Sequence, residues 1–232
     1  MPSGIIFKVQ KIILTAVLLL LPACAMGEEP GSLPVYVEAS AGLGISPIIN
    51  TRSATFVAPP DRSVGTAQLN YGDSFMAGAE IGMVLGNPDG NWRLGLNYEH
   101  TRLNLGSIDI TGLINGVPGK VTYTGKDLAF ERFPFNYSVH LAMANVYYDL
   151  PAVMERVRPY FGLGAGTGFV ENSSTQFALS GTAGIRVAIT RSLYLGLRYR
   201  YYWVSGSTNQ IGVRMLPLTA NTISTVIGYS FE

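Results

Sequence analysis

Residues 193–203 read Leu193-Tyr194-Leu195-Gly196-Leu197-Arg198-Tyr199-Arg200-Tyr201-Tyr202-Trp203. Leu193, Leu195, Leu197, Tyr199, Tyr201 and Trp203 alternate with Tyr194, Gly196, Arg198, Arg200 and Tyr202. In an extended strand successive side chains point to opposite faces, so the first set forms an apolar, aromatic face and the second a polar one. A soluble sandwich shows the same alternation. It has no need of so aromatic an exterior, which favours a strand that crosses a membrane.

The pattern recurs along the chain. Eight runs of about ten residues stand out: 34–45, 71–85, 92–103, 136–149, 159–170, 176–189, 193–204 and 221–231. Transmembrane strands need about 9 to 11 residues. The first run sets Val35, Val37, Ala39, Ala41 and Leu43 against Tyr36, Glu38, Ser40, Gly42 and Gly44. The third sets Trp92, Leu94, Leu96 and Tyr98 outward against Arg93, Gly95, Asn97 and Glu99. In the fifth, Phe161, Leu163, Ala165, Thr167 and Phe169 oppose Tyr160, Gly162, Gly164, Gly166 and Gly168. In the fourth, from Leu141 to Tyr148, both faces are nearly apolar and the phase stays open, with a bulge expected near Asn145.

Composition agrees with a membrane protein that is not helical. Of 232 residues, 13% are charged and 47% hydrophobic, where a soluble domain carries about 25% charge. After residue 21 no apolar stretch reaches the roughly 18 residues of a spanning helix. With no water in the bilayer core, backbone groups must pair internally, which leaves a closed barrel. The net charge of +1 gives no footprint for nucleic acid. The expected fold is therefore all-β: an eight-stranded antiparallel transmembrane up-and-down barrel.

The N-terminus reads as a signal peptide over residues 1–25, leaving 26–232 as the barrel domain. Lys8 and Lys11 precede the ten apolar residues from Ile12 to Leu21, too few to cross about 30 Å as a helix but right for an export signal. Ala23-Cys24-Ala25 fits cleavage after Ala25. Leu21-Pro22-Ala23-Cys24 offers the alternative of a lipidated Cys24, which Pro22 disfavours. Cleavage after Ala25 removes the single cysteine with Lys8 and Lys11, leaving 14 basic against 15 acidic residues and no thiol chemistry.

Connections alternate in length. Residues 87–91, 150–158 and 190–192 make short links; 46–70, 104–135 and 205–220 are long, and 171–175 is the short exception among the outer links. Short turns inside and long loops outside are the habit of outer-membrane barrels. That topology predicts two aromatic girdles. Trp92, Tyr147, Tyr148, Tyr160, Phe161, Tyr194, Tyr229 and Phe231 fall at the periplasmic ends of their strands. Tyr71, Phe75, Tyr98, Phe169, Tyr201 and Trp203 fall at the outer ends. Within the long 103–135 stretch, Ile108, Ile110, Val121 and Tyr123 alternate around Asn115-Gly116-Val117-Pro118-Gly119, a hairpin projecting beyond the membrane.

Four blocks carry a family resemblance: Phe75-Met76-Ala77-Gly78-Ala79-Glu80-Ile81-Gly82, Asn145-Val146-Tyr147-Tyr148-Asp149-Leu150, Pro159-Tyr160-Phe161-Gly162-Leu163-Gly164-Ala165-Gly166, and Leu195-Gly196-Leu197-Arg198-Tyr199-Arg200-Tyr201. In this order they resemble the small outer-membrane β-barrel proteins of Gram-negative bacteria, the OmpA-like, opacity-protein and surface-antigen group. The resemblance implies a Sec-exported outer-membrane protein with lipid around it and variable loops for a host or surface ligand. Ile227-Gly228-Tyr229-Ser230-Phe231 looks like a signal for the barrel-assembly machinery, with Glu232 departing from the usual aromatic end.

Chemistry is sparse. Glu38, Glu80 and Glu99, with Arg93, Arg186, Arg198 and Arg200, fall on the face assigned to the lumen, which in eight strands is narrow enough for side chains to fill. They form either a conduction path or a neutral plug that leaves no charge unpaired. Glycines at 162, 164, 166 and 168 lack the helix and spacing of a phosphate loop and instead make room for large neighbours. His100 and His140 are the only histidines, and Ser138 shares a face with His140. The His-x-Ser order of barrel lipid hydrolases is absent. No catalytic, metal or cofactor site is expected. The chain reads as a non-enzymatic outer-membrane surface protein with a plugged polar lumen, its loops serving envelope integrity or adhesion. A narrow porin-like channel is the alternative and a lipid-modifying hydrolase the remote one.

Overall fold

A computed structural model describes residues 34–50, 54–58, 61–72, 74–85, 92–124, 137–170, 175–206 and 216–231. The expected signal peptide and the cleavage or lipidation site at Ala25 or Cys24 lie outside the described residues. In chain order the strands are β1 (Val35–Asn50), β2 (Ala54–Ala58), β3 (Asp61–Tyr71), β4 (Ser74–Leu85), β5 (Trp92–Leu103), β6 (Leu105–Ile114), β7 (Val117–Thr124), β8 (Tyr137–Asp149), β9 (Val157–Val170), β10 (Gln176–Ala188), β11 (Leu193–Val204) and β12 (Leu218–Phe231).

Eight of these strands close a barrel. The order β1-β4-β5-β8-β9-β10-β11-β12 has every pair antiparallel, and β12 returns to β1 from Val35↔Phe231 to Ile45↔Asn221. Closure leaves no unpaired edge among these strands. The alternating sequence fixes which face turns out: Leu96 is 66% and Leu163 73% exposed, while Arg93, two strands from Leu163, is fully buried. An exterior carrying Leu43, Phe75, Leu94, Phe161, Leu195, Leu197, Ile223 and Ile227 far exceeds the apolar patches that soluble proteins tolerate. Lipid is the solvent it suits.

β8 settles its own phase. Its register runs unbroken against β5 from Trp92↔Tyr148 to Leu103↔Tyr137, and against β9 from Val139↔Val170 to Asp149↔Tyr160. The bulge expected near Asn145 is therefore absent. Leu141 and Met143 point inward with Asn145, Tyr147 and Asp149, because the long-loop half of this lumen is apolar; that is why both faces of the strand looked alike.

The stretch 46–70, expected as a loop, holds the end of β1, all of β2 and all of β3 but its last residue, Tyr71. β3 runs into β4 past residues 72–73, and β5 runs into β6 past Asn104, where Gly72 N–H donates to Asn104 O at 3.1 Å. The β4–β5 pair thus continues as a β3–β6 pair from Tyr71↔Leu105 to Ser63↔Ile114, with a register shift between Asn70 and Tyr71. The outer end of β1 and then β2 join β3 on one side, and β7 joins β6 on the other. The result is a four-stranded sheet rising about 35 Å past the rim, as eleven extended residues in β3 require. The β6–β7 hairpin turns on two residues, Asn115 (φ 52°) and Gly116 (φ 83°), a turn whose twist matches its strands and needs positive φ at both positions.

Period 2 gives this projecting sheet two unlike faces. Ala67, Ile108 and Ile110 are buried on one with Leu105, Ile114, Val121 and Tyr123 packed against them. On the other, Asn70 donates to Ser107 Oγ (3.0 Å) and Asp109 Oδ2 (3.4 Å), and Thr122 donates to Asp109 Oδ1 at 2.6 Å.

The lumen as candidate functional site

The inward positions of β1, β4, β5, β8, β10 and β11 converge on one buried network. Toward the short-turn rim, Arg93 from the start of β5 reaches Asp149 at the end of β8 (Nε to Oδ2, 3.1 Å) and Glu38 on β1 (Nη1 to Oε1, 3.2 Å). Arg186 shares Asp149, and Arg198 holds the other oxygen of Glu38. Tyr194 donates to Glu38 Oε1 at 2.8 Å. The Arg93 guanidinium also lies 5.1, 4.8 and 5.0 Å from the ring centres of Tyr36, Tyr147 and Tyr160, where the ring faces attract a cation.

One level higher, Glu80 accepts from Tyr36 (2.8 Å), Tyr147 (2.6 Å) and Asn145 (3.2 Å), and Arg200 Nη2 stands 3.7 Å from it. Above that, Arg200 binds Glu99, Asn97 Oδ1 (3.1 Å), Tyr202 (3.1 Å) and Thr182 (3.0 Å). Four arginines thus meet four carboxylates, and the column is neutral. Burying charge costs several kcal/mol per ion unless it is paired and hydrogen-bonded; the tyrosines and amides supply most of those bonds, leaving Arg93 Nη2, Arg186 Nε and Arg198 Nη1 without one among the described residues.

The tyrosines fit because glycine faces each of them. Tyr36, Tyr147, Tyr160 and Tyr194 lie directly across from Gly82, Gly162, Gly184 and Gly228 on the next strand. A Cβ on Gly228 would stand 2.2 Å from Tyr194 Cζ, and one on Gly162 2.3 Å from Tyr147 Cδ1. The rings lie along the wall and deliver their hydroxyls to the carboxylates.

Toward the long-loop rim the lumen changes character. Leu69, Tyr71, Leu103, Val139, Leu141, Met143, Ala178, Tyr202 and Val204 form one buried apolar cluster. A cavity of about 40 Å³ opens within this cluster, walled by Leu103, Val139, Leu141, Tyr202 and Val204 and bordered by Glu99, Thr101 and Thr222, room for about one water molecule.

All seven lumen residues singled out from the sequence, Glu38, Glu80, Glu99, Arg93, Arg186, Arg198 and Arg200, face inward, but the pairing differs from a simple facing of walls. Arg198 takes Glu38, not Glu80, and Arg186 takes Asp149. Four of the girdle residues are corrected: Tyr147, Tyr160 and Tyr194 are buried in the lumen, as is Tyr71 at the other rim. Their place at strand ends suggested the interface, but alternation with inward glycines governs direction. Trp92, Tyr148, Phe161, Tyr229 and Phe231 face outward at one rim, and Tyr98, Phe169, Tyr201 and Trp203 at the other. Sequence reading put Tyr36 and Asn97 on the inward face without assigning them a role, and it missed Asp149 and Asn145; the phase of β8, extended from Tyr147 to Asp149, was the signal for the first.

A closed antiparallel barrel with a lipid-facing exterior and a filled polar lumen defines an outer-membrane barrel. The chain belongs to the family described as outer membrane protein beta-barrel domain, whose model matches residues 16–231, so it is a bacterial outer-membrane protein in contact with membrane lipid. Its fold is similar to Neisserial surface protein A (16% identity, 84% of this chain and 96% of that one, TM-score 0.48). It is also similar to Ail, the attachment invasion locus protein of Yersinia pestis, in complex with the heparin analogue sucrose octasulfate (13%, 85% and 99%, 0.40), and to the outer membrane protease OmpT of Escherichia coli (11%, 84% and 97%, 0.41). No curated protein matches in sequence.

Proposed function

We propose that the protein is a non-conducting, non-enzymatic surface protein: a barrel plugged by its own side chains that holds a sheet out from the membrane for envelope integrity or contact with a host or surface ligand. The observation that carries this reading is the filled lumen, a neutral network of four arginines and four carboxylates roofed by an apolar cluster. An ion crossing it would have to break buried pairs and then enter an apolar layer. The positions of the histidines support the absence of hydrolytic chemistry. His100 and His140 face outward, and Ser138 is two residues from His140 along an extended strand, about 7 Å, beyond the reach a nucleophile and its base require. Residues 1–25 serve as the export signal in this reading, and the C-terminal segment Ile227–Phe231, which closes the barrel against β1, serves recognition by the assembly machinery.

Single-channel recording of the purified protein in planar bilayers tests the proposal. Negligible conductance is expected. Sustained wild-type openings would replace it with the narrow-channel reading.

A further inference from the structure

The two histidines are left over from the lumen, and the fold brings them together. His100 on β5 and His140 on β8 are direct register partners, with ring centres 4.6 Å apart. Tyr98 OH lies 2.6 Å from His140 Nδ1, which fixes that ring. Arg102 follows His100 on the same outward face, about 7 Å along the strand, opposite Ser138, and its side chain is exposed. Phe75 on β4 and Phe169 on β9, 64% and 47% exposed, flank the group, with Ala77 beside His100 and Ala142 beside Tyr98. Among the described residues no carboxylate shares this patch.

We propose that Arg102, His100 and His140 form a binding site for the phosphate headgroup of an outer-leaflet lipid. The flanking phenylalanines put the cluster at the level of the outer girdle, where apolar wall gives way to headgroups. An Arg fork and imidazole N–H groups are all donors to phosphoryl oxygens, and charge-assisted bonds of this kind are the strong ones. A divalent cation would also suit paired imidazoles, but the Arg102 charge opposes it. Lipid, not a soluble ion, is the occupant because the site opens sideways into the bilayer: the acyl chains can lie against Ala77, Ala142 and Phe169 while the phosphate meets the arginine.

The test is native mass spectrometry of the folded, detergent-solubilised protein with phosphatidic acid, phosphatidylcholine or inorganic phosphate added, alongside NMR of the imidazole groups. Retention of phosphatidic acid severalfold above phosphatidylcholine is expected, with shifts of both imidazoles. Arg102→Gln and the His100→Gln/His140→Gln pair should each remove most of that excess, while Arg102→Lys keeps charge without the fork and falls between. All variants sit on the exterior, and faster migration of the unboiled than of the boiled protein confirms folding. Equal retention of both lipids, or retention unchanged in Arg102→Gln, overturns the site. Imidazole shifts as large with millimolar inorganic phosphate as with lipid overturn the lipid assignment.

Discussion

The ion pair between Arg93 and Glu38 and the one between Lys120 and Asp109 use the same chemistry at similar separations, 3.2 and 3.5 Å. The first lies in the lumen with both side chains 1% exposed; the second lies on the projecting sheet with Lys120 60% exposed. Water decides the difference. A buried charge that loses its partner has no solvent to turn to, whereas an exposed pair is screened and contributes little. The barrel and the sheet it carries should respond to the same kind of substitution to very different extents.

Glu38→Gln gives the largest effect, because it strips Arg93 and Arg198 of a shared carboxylate. About 3 to 5 kcal/mol should be lost, read as a lower unfolding temperature from the unboiled-to-boiled gel shift. Arg198→Ala combined with it should cost less than the two separately, since both act in one network; strict additivity would show that the lumen holds water enough to screen the charges. Next comes Leu163→Arg, which puts a charge on the lipid face of β9 and should cost about 2 to 4 kcal/mol by unfolding in lipid vesicles. No loss there would mean the outward face is not lipid-exposed.

Smaller effects sharpen the contrast. Gly228→Ala forces the Tyr194 ring off the wall and away from Glu38, an overpacking worth about 1 to 3 kcal/mol. Gly119→Ala in β7, where a Cβ would meet its nearest atom at 3.7 Å, should stay within about 0.5 kcal/mol. Equal losses would erase the distinction between packed lumen and open sheet. Least of all, Lys120→Ala should leave the unfolding temperature unchanged. The Asp109 carboxyl is held below its ordinary range, first by the hydrogen bond from Thr122 and then by Lys120 and Asn70. A depressed carboxylate stabilises the hairpin above the unfolded value near 3.9, and that support fades as pH falls through the lower folded value. Thr122→Val should raise the titration midpoint of Asp109 in NMR; no movement would assign the depression to Lys120 and Asn70.

The alternation from Leu193 to Trp203, which recurs in every run but the fourth, was enough to define a barrel, the outward and inward faces of those strands, and the inward direction of Arg198, Arg200 and Glu38. It also marked the Asn115-Gly116 hairpin, because turn chemistry is local. These readings rest on period and on residue type, which a linear chain displays in full.

What period cannot show is who meets whom across a closed lumen. Glu38 and Arg198 are 160 residues apart, and their pairing depends on stagger between β1 and β11 that no local pattern encodes. The tyrosines are a different case: Tyr194 and Tyr229 both sit at strand ends, yet alternation already sets Tyr194 on the face of Arg198 and Arg200, and the tertiary structure adds only the room that Gly228 leaves for its ring. β2 and β3, and their joining to the β6–β7 hairpin as one sheet, escaped notice because β3 and β6 continue barrel strands through a bend and pair with each other about 40 residues apart. Sequence alone determined the wall of this protein, since alternation is a property of each strand; the plug and the projecting sheet were decided by closure, which brings distant strands to one depth and makes burial choose the partners.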